Sequence, residues 1–408
     1  MNQINLAAAN ENQAKSTWKF LLSELKPKGK IFTPFNIISF PIMITGLVLI
    51  VIRFWKGLGA VTNLSQEVPW GLWIGFDVVT GVAFAGGAYV LTFMVYILNM
   101  KKYHSIIRVT VLNGFLAYVF YAGALLLDLG RPWNVINPII GNNFGTSSVL
   151  FLVAWHFLLY MIAQFIEFSP AVAEWLGAKR IRKILSAMTL GAVIFGITLS
   201  ILHQSGLGAL YMMAREKIHP LWYSEFIPIL FFVSSIFAGL SMVIFEGSIS
   251  YKVFFGQISE KNRHAHHEII HGLSRVCAGT MFAYLFLHLL IFLHGRHWGL
   301  INTPMGYWYL LEMFGFVLLP MLLFFYGYRV KSGLWIRIAA ILTMLGVILN
   351  RLNVTVIGFR WDMPVRYIPT WMEVCVTLAV IFTEIWIFRW VIRRMPVLRD
   401  PPAWAKSH

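Results

Sequence analysis

The sequence predicts an all-α polytopic membrane protein with ten transmembrane helices. Of its 408 residues, 58% are hydrophobic and 12% are charged, with a mean hydropathy of +0.71, whereas a soluble domain carries about 25% charged residues. Its apolar runs are long enough to cross a bilayer, and short stretches with Pro, Gly, Asn and charge separate them. The predicted spans are 36–55, 70–98, 106–127, 147–167, 184–203, 226–249, 275–294, 308–328, 335–357 and 370–392. An N-terminal segment, 1–35, precedes the membrane domain, 36–392, and a tail, 393–408, follows it.

The distribution of Lys and Arg predicts the orientation of these spans. The two terminal segments and every second connection contain 24 of the 33 basic residues. Cytoplasmic segments of membrane proteins carry the excess of positive charge. Both termini are therefore predicted to be cytoplasmic, in agreement with the even number of spans, and the expected location is a bacterial inner membrane.

The second span contains a carboxylate in the stretch PWGLWIGFDVVTGVAFAGGAYV, residues 69–90. Asp77 lies about two turns inside it, where an acid is costly and indicates a functional site by default. Several small residues predict close approach of neighbouring helices, and Trp70 and Trp73 are typical of the water–lipid boundary. Two interpretations stay open: a proton or ligand site, or a packed helix in which Asp77 is hydrogen-bonded for structure only.

With the termini inside, polar residues from four segments converge on the outer face. The third span ends in LLLDLGRPWN, whose Asp128 and Arg131 are either site residues or an ion pair that fixes the loop. The fifth span is predicted to end at His203, which is either a proton donor or a cap or interface residue. The next connection is MMAREKIHPLWYSEF. The candidate ligand contacts are Trp73, Asp77, Arg131, His203, Gln204 and Tyr211.

A second set of polar residues lies deeper in the membrane or on its other side. His156, Glu167 and Glu246 either form a proton path with Asp77 or are separate, internally satisfied polar groups. The remaining polar residues of spans seven to ten are interpreted as partners in interhelical hydrogen bonds. These are His288, Glu312, Asn350, Arg351, Glu373 and Glu384.

Three functional classes can be compared on these residues. A cytochrome b needs two histidines at matching depth, but His156 is predicted about 13 Å deeper than His203. His288 lies nearer the depth of His156, so spacing alone does not exclude haem. A secondary transporter needs a midplane site, whereas this cluster lies at one face. A quinone site needs an apolar slot and a group that exchanges protons, which Asp77, His203 and Tyr211 supply. No metal site is expected, and two cysteines exclude a cysteine-ligated iron–sulfur cluster within this chain.

At these residues the sequence resembles a known family. The stretches PWGLWIGFDVVTG, LLLDLGRPWN, LHQSGLGALY, HPLWYSEFIPILFFVSSIFAGLSMVIFE and LNRLNVTVIGF resemble the NrfD/polysulfide-reductase membrane-subunit family. The ten-helix length is similar to its HybB-like branch, which serves menaquinone reductase and hydrogenase complexes, and the menaquinone reductase type is preferred. The resemblance extends over about residues 30–395.

The resemblance implies a haem-free, quinone-binding subunit with two four-helix bundles, helices 2–5 and 6–9, and helices 1 and 10 outside them. It implies a periplasmic iron–sulfur partner, accompanied by a molybdopterin-type and a multihaem cytochrome c subunit or by a hydrogenase. It carries the quinone pocket over to Trp73–Asp77 and His203, with Tyr211 and Arg131 nearby. The expected function is exchange of electrons and protons with menaquinone at the outer face. Asp77 and His203 would handle protons; the partners are protein subunits and lipid, not nucleic acid.

Overall fold

The computed structural model describes residues 19–140, 148–364 and 366–405. Within these residues, ten helices are long and apolar enough to span a membrane, as predicted. They are α1 (Pro34–Lys56), α2 (Trp73–Ile97), α3 (Lys101–Asp128), α4 (Val149–Trp175), α5 (Lys179–Met212), α6 (Ile227–Val253), α7 (Ala265–Gly295), α8 (Pro304–Arg329), α9 (Gly333–Ile357) and α10 (Trp371–Arg394).

The helices pack as two four-helix bundles with one additional pair. Helices α2 to α5 form the first bundle and α6 to α9 form the second. Helix α6 joins the two bundles through its contacts with α2 and α5, while α1 packs on α10 and α10 packs on α3. We call the end at which α1 begins and α10 ends the terminal end, and the other the opposite end.

Small residues let the two bundles approach closely, as the glycines of the second span predict. A Cβ atom placed on Gly239 of α6 would lie 2.0 Å from the backbone nitrogen of Gly87 in α2. Near this contact, the hydroxyl groups of Tyr89 and Ser235 are 2.9 Å apart. The backbones of α2 and α6 therefore touch, which leaves no room at Gly239 for a larger residue.

Two of the helices contain long π-helical segments. In α2 the segment is Trp73–Thr80, and in α8 it is Leu311–Leu318. Such segments are rare and occur frequently at functional sites. Each of these two contains one buried acid, Asp77 in α2 and Glu312 in α8.

Helix α5 is longer than predicted and this changes the position of His203. The predicted span ends at His203, but the helix continues to Met212. Gly208 lets the extended part of α5 pack closely on α6, because a Cβ atom there would lie 2.8 Å from the carbonyl oxygen of Ile227 in α6. The prediction that His203 lies at a helix end is therefore wrong. Its side chain is in the helix interior and is buried.

Candidate functional site

Asp77 is a buried carboxylate, and a hydrogen bond reaches only one of its two oxygens. Its side chain is 1% exposed. The Thr377 hydroxyl of α10 donates to Oδ2 at 2.9 Å, whereas Oδ1 is buried and has no partner among the described residues. A buried polar atom without a partner is costly and calls for an explanation. Thr377 thus orients the carboxyl group and leaves one oxygen available to a ligand, a water molecule or a proton.

The start of α2 is fixed to the start of α10 by a group of hydrogen bonds. The Trp73 indole donates to the Glu373 carbonyl at 3.1 Å, and the Leu72 amide donates to the Tyr367 hydroxyl at 3.0 Å. Tyr367 in turn donates to the Glu373 carboxylate, which also accepts from the backbone of Thr370 at 2.8 Å in a capping box. Trp73 is 2% exposed, so the prediction that it marks the lipid boundary is wrong. It holds α2 against α10.

A cavity of about 100 Å³ lies beside this anchor, bounded by Val68, Phe359, Arg360 and Tyr367 among others. Cavities that enclose drug-sized ligands measure about 300–1,000 Å³. A quinone ring could enter here only if side chains of the wall moved.

The end of α3 is held by Arg53 and not by Arg131. Arg53 of α1 is buried, and its Nε donates to the Leu127 carbonyl at 2.7 Å. A second guanidinium nitrogen donates to the Leu129 carbonyl. Arg131 is exposed, and in the described part of the chain no ion pair joins it to Asp128. The loop-fixing alternative for Asp128 and Arg131 is therefore wrong, because Arg53 performs that role.

His203 belongs to a second polar group inside the first bundle. Its Nδ1 lies 3.1 Å from the Tyr118 hydroxyl of α3, and the Phe157 ring of α4 lies 5.4 Å from its ring centroid. The neighbouring Gln204 donates to the Val82 carbonyl of α2 at 2.8 Å. Within the described structure, Asp77 and His203 make no hydrogen bond with each other and have no common partner in these contacts. They belong to separate polar groups.

His156 and His203 lie at more nearly equal depth in this structure than the sequence predicts. Helix α4 begins at Val149 and α5 ends at Met212, both at the opposite end. His156 is seven residues from the first and His203 nine from the second, about 10 Å and about 13 Å at 1.5 Å per residue. The two histidines lie at similar depth on packed helices, so the predicted mismatch is wrong.

Tyr211 lies where the two bundles meet. Its ring packs edge-on against Trp70, with the ring centroids 5.2 Å apart. It also lies tilted against the Phe231 ring of α6, with the centroids 5.6 Å apart. The Arg351 guanidinium of α9 lies 3.6 Å from the centroid of the same Phe231 ring. Tyr211 therefore faces the second bundle and does not share a hydrogen-bonded group with Asp77 or His203 in the described residues.

Among the described residues, no hydrogen bond joins the predicted proton-path residues to one another. Tyr121 of α3 interacts electrostatically with both Asp77 and Glu384. Glu384 interacts in the same way with Glu246. Tyr121 is buried and Glu384 is 9% exposed. Glu246 and Glu167 each keep a buried carboxyl oxygen that has no partner in the described part of the chain.

One sequence signal could have identified the α10 residues. Glu373, Thr377 and Glu384 are separated by four and then seven residues, a spacing that places them on one face of a helix. The sequence interpretation includes only Glu373 and Glu384, both as structural groups. It misses Thr377 because hydroxyl residues are common in membrane helices.

The acid of the second bundle is fully hydrogen-bonded. Glu312 accepts from the Trp222 indole at 2.7 Å, from Asn350 Nδ2 at 2.7 Å and from Asn353 Nδ2 at 2.6 Å. Arg351 donates to Asn350 Oδ1 at 2.9 Å and to Ser234 Oγ at 2.7 Å. The interpretation of Glu312, Asn350 and Arg351 as partners in interhelical hydrogen bonds is confirmed.

The loops of the opposite end pack around His219. Its backbone amide donates to the Gly358 carbonyl at 2.8 Å, and its ring contacts Trp361 at a centroid distance of 4.7 Å. Burial, and to a lesser degree the charge of His297, lowers the pKa of His219. The ring is therefore neutral at pH 7 and acts as a packing element between two loops.

Comparison with known proteins places the chain in a family. Residues 60–360 match the family described as Polysulphide reductase, NrfD. The chain belongs to the NrfD family. A protein of Nitratidesulfovibrio vulgaris Hildenborough is 42% identical over 380 residues, which cover 93% of this chain and 98% of that protein. The resemblance seen in the sequence is thereby confirmed.

Two other relatives carry names that describe complexes. The probable Ni/Fe-hydrogenase 2 b-type cytochrome subunit of Escherichia coli K12 is 29% identical, over 93% of this chain and 96% of its own length. A selenate reductase subunit of Mesobacillus selenatarsenatis is 24% identical, over 54% of this chain and 56% of its own length. This NrfD-family chain is, like the family, a multi-pass membrane protein.

Proposed function

We propose that this chain is the quinone-binding membrane subunit of a respiratory oxidoreductase complex. It exchanges electrons and protons with menaquinone at the periplasmic face, and a periplasmic iron–sulfur subunit delivers or accepts the electrons. The observation that carries the proposal is the free Oδ1 of Asp77, a buried carboxyl oxygen in a π-helical segment near the opposite end. The relatives named as hydrogenase and selenate reductase subunits support a role within an oxidoreductase complex.

The chemistry assigned to Asp77 is proton transfer. Reduction of a quinone to a quinol adds two electrons and two protons, and a positioned acid lowers the barrier to protonation of a carbonyl oxygen. Thr377 fixes the carboxyl orientation, while Trp73 holds the helix that presents it. His203 is the second proton-handling residue of the proposal, with Gln204 and Tyr211 as lining groups and Arg131 at the exposed rim.

Protons reach or leave Asp77 through the interior of the protein in this proposal. The path runs from Asp77 past Tyr121 to Glu384 and Glu246, following their electrostatic contacts. Glu167 lies nearer the terminal end, which faces the cytoplasm in the predicted orientation. His156 belongs to the same proposed proton path and lies beside His203 in the first bundle.

Photoaffinity labelling tests the proposed site. The intact complex is illuminated with an azido-quinone, and the labelled peptides are identified by mass spectrometry. We expect saturable labelling within 70–81 or 367–377, suppressed by an excess of a menaquinone analogue. Labelling confined to α6 to α9, or labelling that the analogue does not suppress, would contradict the proposal.

A b-type cytochrome is the second candidate function. The similar depth of His156 and His203 favours it, as does the name of the Escherichia coli relative. We expect no haem, because aromatic rings occupy the space beside the His203 imidazole. The Phe157 ring contacts His203, and Tyr118 packs against both Phe157 and Tyr160. An absorption spectrum of the chain purified without its partner subunits decides between the two. A reducible Soret band at stoichiometric intensity would establish the cytochrome.

A further inference from the structure

A cavity of about 770 Å³ opens at the terminal end, far from Asp77. Its walls come from the α2–α3 connection, the end of α4, the start of α5, the residues that lead into α7, and the chain after α10. None of the proposed quinone contacts lines it. It is therefore separate from the proposed quinone site.

The wall of this cavity is rich in positive charge. Five cationic side chains line it, against the two carboxyl groups of Glu167 and Asp400. The five are Lys101, Lys102, Arg108, Arg182 and Arg399.

Two of these cations are held in ion pairs, whereas the other three form none in the described part of the chain. Glu174 behind the wall accepts from Arg108 at 2.7 and 3.0 Å and from Arg182 at 3.3 Å. The other three, Lys101, Lys102 and Arg399, are exposed, and in the described structure no ion pair involves them; Lys102 Nζ lies 4.9 Å from the centroid of the Tyr103 ring. The cavity thus presents a cluster of exposed cations beside a fixed Arg–Glu–Arg group.

Polar atoms without partners and an apolar wall complete the cavity. Ser105 Oγ and Glu167 Oε1 are buried and form no hydrogen bond in the described structure. Ile107, Val111 and Phe168 supply apolar surface in the same cavity. A ligand that fits must combine an anionic, oxygen-rich group with a hydrocarbon part.

We propose that this cavity binds the phosphate headgroup of an anionic membrane phospholipid. Basic pockets between transmembrane helices on the cytoplasmic side bind such headgroups, and a phosphate oxygen accepts hydrogen bonds from Lys and Arg at short range. The acyl chains would follow the apolar wall toward the bilayer. Glu167 opposes the negative charge, so Glu167→Gln is expected to bind the lipid at least as well as the wild type.

Lipid retention by the purified full-length protein tests this proposal. The variant Lys101→Gln/Lys102→Gln/Arg399→Gln removes the three cations that form no ion pair, and glutamine keeps much of the length of each side chain. The matched control, Lys252→Gln/Arg329→Gln/Lys331→Gln, removes three exposed cations at the same end but outside the cavity. Native mass spectrometry measures phosphatidylglycerol bound after delipidation and re-addition, with phosphatidylcholine as the zwitterionic comparison.

We expect the cavity variant to bind phosphatidylglycerol at least about tenfold more weakly, with the control close to wild type. Equal loss in both variants would mean general surface attraction and would overturn the proposal. A thermal-shift titration with inorganic phosphate separates the two sources of the ligand group. Stabilisation by inorganic phosphate, without retention of phosphatidylglycerol, would overturn the lipid assignment.

Discussion

Asp77 and Glu312 are two buried acids, each in a π-helical segment, but they differ in how many hydrogen bonds they accept. Each side chain is 1% exposed. Glu312 accepts three hydrogen bonds, which occupy both of its oxygens. Asp77 accepts one, from Thr377, and its other oxygen has no partner in the described structure. The same type of helical segment therefore contains one acid with both oxygens hydrogen-bonded and one acid with a single oxygen hydrogen-bonded.

The difference indicates separate roles for the two bundles. A buried carboxyl group whose two oxygens are both hydrogen-bonded, as in Glu312, specifies how its helices pack. A carboxyl group with a free oxygen in a dry site can gain or lose a proton when a ligand arrives. We infer that the first bundle contains the reactive acid and that the second bundle acts as its scaffold.

The largest effect is expected from Asp77→Asn. Asparagine keeps the size of aspartate and can still accept from Thr377, but it cannot titrate. Quinone turnover should fall about 10²–10⁴-fold, while the complex stays assembled. The measurement is menaquinone-analogue turnover normalised to intact complex, with His203→Ala measured beside it. A normal rate in Asp77→Asn would remove this residue from the mechanism.

The reciprocal change, Glu312→Gln, should affect stability instead of turnover. It places an amide NH₂ group among the three donors that now reach the carboxyl group and leaves at least one of them buried without an acceptor, at a cost of about 1–3 kcal/mol. We expect a lower yield and a lower thermal unfolding midpoint in detergent. Turnover per assembled complex should stay close to wild type. A large loss of turnover in a well-assembled complex would reverse the assignment of the two bundles.

A smaller loss is expected where the proton path leaves Asp77. Glu384→Gln removes a titratable group that interacts electrostatically with both Tyr121 and Glu246. Turnover should fall by up to about 10²-fold, the lower end of the range for proton transfer. Glu268→Gln, an exposed acid at the terminal end, is the control and should have no effect. Equal rates for the two variants would place the path elsewhere.

The smallest expected effect is that of Thr377→Val. Valine has nearly the same shape but loses the hydroxyl that orients Asp77 Oδ2. A single hydrogen bond contributes about 0.5–1.5 kcal/mol net, so turnover should fall about two- to tenfold. Steady-state assays on assembled complex are sufficient to detect this. An unchanged rate would show that Asp77 needs no partner on α10.

Much of the fold could be predicted from the sequence, since bilayer thickness sets the length of each apolar run. The ten spans and the close approach of neighbouring helices at the glycines of α2 follow from such local patterns. The length of α5 does not, because Gly206 and Gly208 look like a helix end when their neighbour α6 is unknown. Gly208 is in fact an inter-helix contact.

The site was only partly predictable for a related reason. Asp77 stands out in the sequence because an acid is rare in an apolar run. Its partners do not, since Thr377 is 300 residues away in the chain. Trp73 has the sequence signature of an interfacial anchor, but tertiary contact with Glu373 buries it. Whether one or both oxygens of a carboxyl group find a hydrogen-bond partner depends on helices that are distant in the chain. A single sequence does not show which of these helices pack side by side.

Infrared difference spectroscopy tests the central claim most directly, because it detects the protonation change of a carboxyl group itself. Spectra of the assembled complex are recorded before and after quinone reduction for the wild type, Asp77→Asn and Glu312→Gln. The account predicts a carboxyl C=O band in the wild type that persists in Glu312→Gln and disappears in Asp77→Asn. A band that persists in Asp77→Asn and disappears in Glu312→Gln would contradict it.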